Sequence, residues 1–320
     1  GWNAVSATSS NSSAVSATAI GGTLPTTFSV EVQGLAKAQA TASASLLPVG
    51  GALGAGTLRL ELGQWSVSPA SFTPGAGVPV DIDITASDTV FDIASKINGA
   101  DAGVTATVLS DASGERLLLR GKNTGEEAGF RLSVTDADGV NDDANGLSRL
   151  VAGSTVTQAA ENARATVNGI AVTSATNTFA NTVAGVTFKA EAVTTAAVDI
   201  TIAKDNSALT KNIDDFVAAY NAINELLSDA TKYDGTTKQA GLFQGDSTAI
   251  GLQNALRSAV QSVSTASSVF QRLADVGITQ QLGGNLAVDS AKLAKALEKP
   301  DEVKNMFRST ESGSAQGIAV

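Results

Sequence analysis

The chain has 320 residues, enough for two or three domains, and it contains no cysteine and no histidine. Those absences exclude disulfides, thiolate nucleophiles, Cys/His metal sites and a Ser-His-Asp triad. A net charge of −10 argues against nucleic acid as a partner, and no apolar run is long enough to cross a bilayer.

Aromatic residues are only 4% of the chain, so the core is built from Val, Ile, Leu and Ala, with ten Phe as anchors. Position 1 is not methionine and Met306 is the only one, so the sequence reads as a piece excised from a longer protein. Gly1 to Ser13 is small and polar apart from Trp2 and Val5, and suits a connector or an extended strand. Ala14 to Ala19 and Thr27 to Glu31 read as strands, with Phe28, Val30 and Val32 sharing a face. Leu35 to Ala44 stays open between helix and strand. Pro48 to Gly56, PVGGALGAG, is a glycine-rich break and an expected domain boundary.

Leu58, Leu60 and Leu62 alternate as a strand, and Val80, Ile82 and Ile84 as another, with a loop holding Pro69, Pro74 and Pro79 between them. Asp88 to Asn98 reads as a helix whose face carries Val90, Ile93, Ala94 and Ile97. Ser87 or Asp88 is expected to cap it and Gly99 to end it. Strands follow at Val104 to Leu109, Arg116 to Arg120 and Phe130 to Val134, the first two joined by a turn at Asp111 to Gly114.

Thr135 to Gly146 is the most acidic loop. Asn141, Asp143, Asn145 and Gly146 fit the first half of a calcium loop. The first ligand is Asn rather than Asp, and Ala152 stands where a bidentate Glu is needed, so the pattern predicts a solvated turn and no metal site. Strands resume near Val156. Asn168-Gly169 between Ala165–Val167 and Ile170–Val172 predicts a type I′ hairpin, and Val186 to Ala190 and Val198 to Ile202 complete the β region.

Asp205 to Asp229 changes the architecture. Leu209, Ile213, Phe216, Val217, Tyr220, Ile223 and Leu227 recur at three and four, a helix with one apolar face that Asp205, Asn206 or Ser207 can cap. At 100° per residue Lys211, Asp215, Ala218, Ala222, Glu225 and Asp229 lie opposite Phe216 and Tyr220. Ala218 and Ala222 are one turn apart. Either they are helix filler, or they form a notch where another helix packs closely, from a terminal segment outside this sequence or from a neighbouring subunit, with Lys211, Asp215 and Glu225 setting its register.

Gly235 to Gly241 is a polar connection. Asp246 or Ser247 opens a helix with Ala249, Leu252, Leu256, Ala259 and Val263 on its face. Gly277 to Val288 reads as a hairpin turning at Gly283-Gly284. Asp289 caps a helix carrying Leu293 and Leu297, which Pro300 terminates, and Asp301 to Phe307 adds one or two helical turns before a polar tail from Ser309 that is expected to be mobile.

Four stretches in this order resemble the flagellar filament-capping family, hook-associated proteins of bacteria. They are TFSVEVQGLAKAQ from Thr27, DTVFDIASKINGADAGVTATVLSDASGERLLLRGKNTG from Asp88, ARATVNGIAVTSATNTFANTVAGVTF from Ala163, and the block holding DDFVAAYNAINELL, GLFQGD, LADVGI and GNLAVDSAKLAKAL. The second is similar to the "IN" motif shared with flagellins. The family's heptad-bearing terminal segments do not show in this sequence.

The resemblance implies an α+β, nested multidomain protein. Residues 1–13 and 205–320 would form a mainly helical leg domain, 14–47 and 156–204 an inner β domain, and 48–155 an outer β domain inserted in the inner one. It implies no enzyme and no cofactor, but a structural cap at the distal end of the extracellular filament, exported by the flagellar secretion apparatus and needed for motility. The cap would promote folding and insertion of flagellin. Implied partners are further copies in a ring-like homo-oligomer, flagellin, hook-filament junction proteins, and an export chaperone that binds a terminal segment absent here. Some members also adhere to host mucin.

Two other classes compete. A β-rich surface adhesin binding glycans suits the loops of the β region but not the helical block after residue 205. A carboxylate hydrolase would need Asp214 with Asp215, or Asp142 with Asp143, as its acid/base pair. Adjacent carboxylates on a helix diverge by about 100° and do not face one substrate. Trp2, Trp65, Tyr220 and Tyr233 are too dispersed in the sequence to make a sugar-stacking platform.

Overall fold

The computed structural model describes residues 3–68, 70–236, 239–308 and 317–318. The expectations for Trp2 and for most of the tail from Ser309 lie outside those residues. The chain forms two compact units, one of Ala7–Ala19 and Thr26–Ile202, the other of Gly1–Ser6, Ile20–Pro25 and Ala203–Val320. The fold is α+β, with several antiparallel sheets and a smaller number of helices.

The first strands are β1 (Val5–Ser9), β2 (Val15–Ala19), β3 (Thr26–Gly34), β4 (Ala40–Ala42), β5 (Gly56–Val67), β6 (Ala70–Pro74) and β7 (Val80–Ile84). Helix α1 (Val90–Gly99) precedes β8 (Val104–Asp111), β9 (Gly114–Gly121), β10 (Gly129–Asp136) and β11 (Thr155–Gln158). The β region closes with β12 (Ala163–Val167), β13 (Ile170–Ser174), β14 (Thr178–Val183), β15 (Val186–Ala190) and β16 (Val198–Lys204).

These strands make four sheets. One runs β1-β16-β3-β12-β13 and another β14-β15-β2. Stacked Phe179 and Phe188, 4.7 Å apart, belong to the second, and Phe28 of the first lies 6.4 Å from Phe188. The other two sheets are β10-β5-β6, with β7 also on β5, and β11-β4-β9-β8. Together with α1 they enclose a cluster running from Leu46 to Leu150 in sequence, with Leu58, Ile93, Ile97, Leu117, Phe130 and Leu147 at its centre. Alternation explains the strands: β3 buries Phe28, Val30 and Val32, with Ser29 half-buried and Glu31 exposed between them.

Several local expectations change. The proline-containing stretch between β5 and β7 is not only loop, because Ala70–Pro74 pairs with Gly63–Val67 in a two-stranded arm. Pro74 sits at the arm's end, where the missing N–H costs the sheet little. Helix α1 is capped by Thr89, one residue later than expected. Its hydroxyl accepts from the Asp92 N–H while the Asp92 carboxylate accepts from the Thr89 N–H. Asp88 instead accepts from the Thr85 N–H and pairs with Lys96. Gly99 lies inside the helix, and the left-handed residues follow at Asp101 and Gly103. The Asn168-Gly169 turn has positive φ at both residues, 48° and 82°, as a type I′ hairpin requires.

One device recurs in the β-rich unit. Where pairing leaves a strand residue's N–H and C=O unmatched, one side chain often satisfies both. The Gln39 amide bonds both backbone groups of Phe130, and the Asn98 amide both groups of Ala106. At Val32 the N–H donates to the Thr194 hydroxyl and the C=O accepts from the Thr194 N–H.

The other unit is organised on α2 (Ser207–Thr231). After it come a small hairpin, β17 (Tyr233–Asp234) and β18 (Gln239–Ala240), and then α3 (Ser247–Val260). A second hairpin, β19 (Ile278–Gln280) and β20 (Leu286–Val288), leads to α4 (Ser290–Ala296) and α5 (Pro300–Arg308). Asp246 and Asp289 cap α3 and α4 as expected. Pro300 opens α5, where its missing N–H is no loss. Leu209, Ile213, Val217, Leu273, Val276, Leu293, Val303 and Met306 form the core. In the described part of the tail, the Ile318 N–H donates to the Met306 carbonyl at 2.8 Å.

Candidate functional site

Helix α2 carries the residues singled out from sequence, and it presents three different faces. The buried arc is Leu209, Ile213, Val217, Tyr220 and Asn224. Phe216 and Ile223, assigned to that arc from their spacing, lie outside it at 37% and 46% exposure. Phe216 meets Phe307 edge-on with ring centres 6.4 Å apart.

The cause is the β19–β20 hairpin. The Asn221 amide bonds both the N–H and the C=O of Leu286, at 2.7 and 2.9 Å. The buried Asn224 amide reaches the Gly283 carbonyl and the Asn285 side chain, and Arg257 of α3 reaches the same carbonyl at 2.8 Å. These bonds favour burying the asparagine side of α2, about 80° from the centre of the arc read off the apolar pattern. Two asparagines at i and i+3 inside a helix, where asparagine is a weak former, were the overlooked sign.

The polar back holds Lys211, Asp215, Ala218, Ala222 and Glu225, and all five are exposed. Lys211 pairs with Asp215 at 2.6 Å, and Glu225 accepts from the Asn285 amide at 2.7 Å. Ala218 and Ala222 therefore sit between two anchored charges. Between back and core runs a stripe that the sequence reading did not separate: Phe216, Ala219, Ile223, Leu226 and Ala230, spaced 3-4-3-4. Leu226 in it is 70% exposed. On α3, Leu252 is half exposed and Val263 falls beyond the helix end, so only Leu256 and Val260 pack against the core.

The carboxylates are structural. Burial pushes the Asp136 carboxyl up, but bonds from the Ser148 N–H and hydroxyl and from the Asp138 and Leu147 N–H groups outweigh it, so its pKa is lowered. Asp88 is held down by Lys96 and the Thr85 N–H, and Asp246 by the Ala249 and Thr248 N–H groups it caps. Among the described residues every resolved carboxylate shift is downward, the reverse of what a general acid needs. In the acidic loop Asn141 accepts from the Asp136 N–H and Asp143 from the Asn145 N–H and amide, so these side chains serve the turn. Asp215 of the Asp214–Asp215 pair is engaged with Lys211. The indole N–H of Trp65 donates to the Phe130 carbonyl and its ring packs on Phe72 at 5.0 Å, in the β-rich unit, whereas Tyr220 and Tyr233 belong to the helical one.

The "Flagellar hook-associated protein 2 C-terminus" family matches residues 160–320, half of the chain. The chain belongs to that family. The "Flagellin hook IN motif" matches residues 71–123 and so covers α1, β8 and β9. The B-type flagellar hook-associated protein 2 of Pseudomonas aeruginosa is 29% identical over 98% of this chain and 67% of its own length. The flagellar hook-associated protein 2 of Escherichia coli K12 is 31% identical over 91% and 63%. The chain thus spans about two thirds of these hook-associated relatives. Among solved structures, the D1-D2-D3 domains of the E. coli flagellar cap protein FliD match 99% of this chain and 85% of theirs, with TM-score 0.70 and 31% identity.

Proposed function

We propose that this hook-associated protein caps the distal end of the bacterial flagellar filament and promotes folding and insertion of exported flagellin. The observation that carries the reading is the likeness to the E. coli cap protein over 99% of the chain. It acts without catalysis, outside the cell, as a ring-like homo-oligomer that touches flagellin below it and the hook-filament junction proteins during assembly. An export chaperone would bind a terminal segment outside this sequence. Deleting the gene should abolish swimming and release unpolymerised flagellin into the medium, and the full-length protein should restore filaments. Normal filaments in the deletion strain would refute it.

The nested layout belongs to the same proposal. Lys37 and Glu161 bond each other's backbone in both directions, at 2.9 and 3.0 Å, and their side chains pair at 3.2 Å. Such a two-strand neck is where an inserted domain leaves and rejoins its host. On this reading β4 and β11, which share a sheet with β8 and β9, belong to the inserted side, so the inserted domain would be wider than the 48–155 expected from sequence.

The back of α2 is proposed as a contact with the neighbouring copy in the ring, with Ala218 and Ala222 as the close-packed notch and Lys211, Asp215 and Glu225 fixing register. Ala218→Arg in the full-length protein should leave the monomer folded and weaken assembly and filament growth. Unchanged light scattering together with normal motility would make the alanines helix filler.

A further inference from the structure

The outer edge of β8 closes on itself through one side chain. β8 ends its sheet, pairing with β9 on one side only. Its register with β9 is unbroken from Val104 opposite Gly121 to Asp111 opposite Gly114. In a regular antiparallel pair, alternate residues turn both backbone groups away from the partner. Ala106 is one of these, because its N–H donates to the Asn98 side-chain oxygen at 2.8 Å and its C=O accepts from the Asn98 amide at 2.9 Å. Val108 and Ser110 share its parity and face outward too. Among the described residues no hydrogen bond from another segment reaches either of them.

The strand that carries this edge is hazardous, although Val104 and Ala106 are themselves buried. Val104 to Ser110, VTATVLS, has no charge, no proline and no glycine, and is mostly β-branched. Those are the properties of a strand that pairs with its own kind. It is also self-complementary. About a two-fold axis at Thr107, Ala106 meets Val108 as a hydrogen-bonded pair, Leu109 lies opposite Thr105, and Thr107 opposite its own copy.

We propose that Asn98 is an edge guard, and that without it the outer edge of β8 pairs with the same edge of a second copy of this chain. The neighbouring Ile97 is wholly buried and fixes the last turn of α1 against the core, which aims Asn98 at Ala106. The Ile-Asn pair is then an anchor and a lock side by side. With Ala106 occupied, the free outward groups at Val108 and Ser110 are too short a run for a stable added strand. The inference stands apart from the contact proposed on α2, since β8 and α2 belong to different units.

Asn98→Ala and the unchanged chain should be compared by sedimentation velocity across a concentration series, with amide exchange read at Val108 and Ser110. The variant is expected to self-associate with a constant at least about tenfold higher, and those two amides gain protection with concentration. Thr107→Lys added to Asn98→Ala places like charges opposite each other across the two-fold and should return the chain to its original distribution. Identical sedimentation of Asn98→Ala and the unchanged chain would overturn the proposal. So would association that Thr107→Lys fails to reverse, because general unfolding rather than edge pairing would then be the cause.

Discussion

Phe216 shows how a single residue can be placed on the right helix and the wrong face. Its spacing from Leu209, Ile213 and Tyr220 fits the apolar stripe, yet over a third of it faces solvent and its one aromatic contact is edge-on with Phe307. Phe216→Ala should therefore cost only about 1 kcal/mol, whereas Ile213→Ala, in the packed arc, should cost about 2–5 kcal/mol. Urea unfolding followed at 222 nm checks both; equal losses would restore Phe216 to the core. The hydrophobic pattern ranks residues by apolarity, and it is blind to an asparagine that earns burial by matching a hairpin backbone. Asp136 makes a second residue-scale case. Its folded pKa is lowered, so its stabilising contribution is present above the unfolded value near 3.8 and is lost as pH falls below it. Asp136→Asn should destabilise the β-rich unit at neutral pH and flatten its acid limb below about pH 4. An acid limb identical to that of the unchanged chain would show that the Ser148 bonds do not carry the shift.

Among elements, those with a local chemical signature were legible. The Asn168-Gly169 hairpin, the Asp246 and Asp289 caps and the alternating strands β3, β5 and β7 all follow from residues within a few positions of each other. Less legible were elements decided by distant partners. Strand β4 is ordered by neighbours from β9 and β11, whereas the β6 arm is a local hairpin, Val67 opposite Ala70, in a stretch whose prolines read as loop. Helix α1 lies between these cases. Its face was plain, but three adjacent residues, Ser87, Asp88 and Thr89, could each cap it, and the choice fell to the one three positions before Asp92. Thr89→Ala should cost about 1 kcal/mol by removing the reciprocal cap. Thermal unfolding of the β-rich unit measures it, and an unchanged midpoint would mean that Asp92 holds the helix start alone.

For the molecule as a whole, the change from strands to helices at residue 205 was readable, whereas the pairing of Lys37 with Glu161 across more than a hundred residues was not. Replacing residues 38–160 by Asn-Gly should leave the remainder folded with a cooperative transition, because the neck already places the two ends as an antiparallel pair. A remainder that melts without cooperativity would contradict the nested layout. The candidate surface on α2 was legible as residues but not as a contact, since a helix back made of alanine and paired charges looks alike whether solvent or a neighbouring copy covers it. The capping role itself is tested most directly at the filament. The full-length protein carrying a small fluorescent tag on the Asp138–Gly139 turn should be imaged on filaments of a strain that lacks the native copy. Each growing filament is expected to carry one focus at its distal end, which advances as the filament lengthens. Label spread along the filament, or normal filaments with unlabelled ends, would contradict a cap.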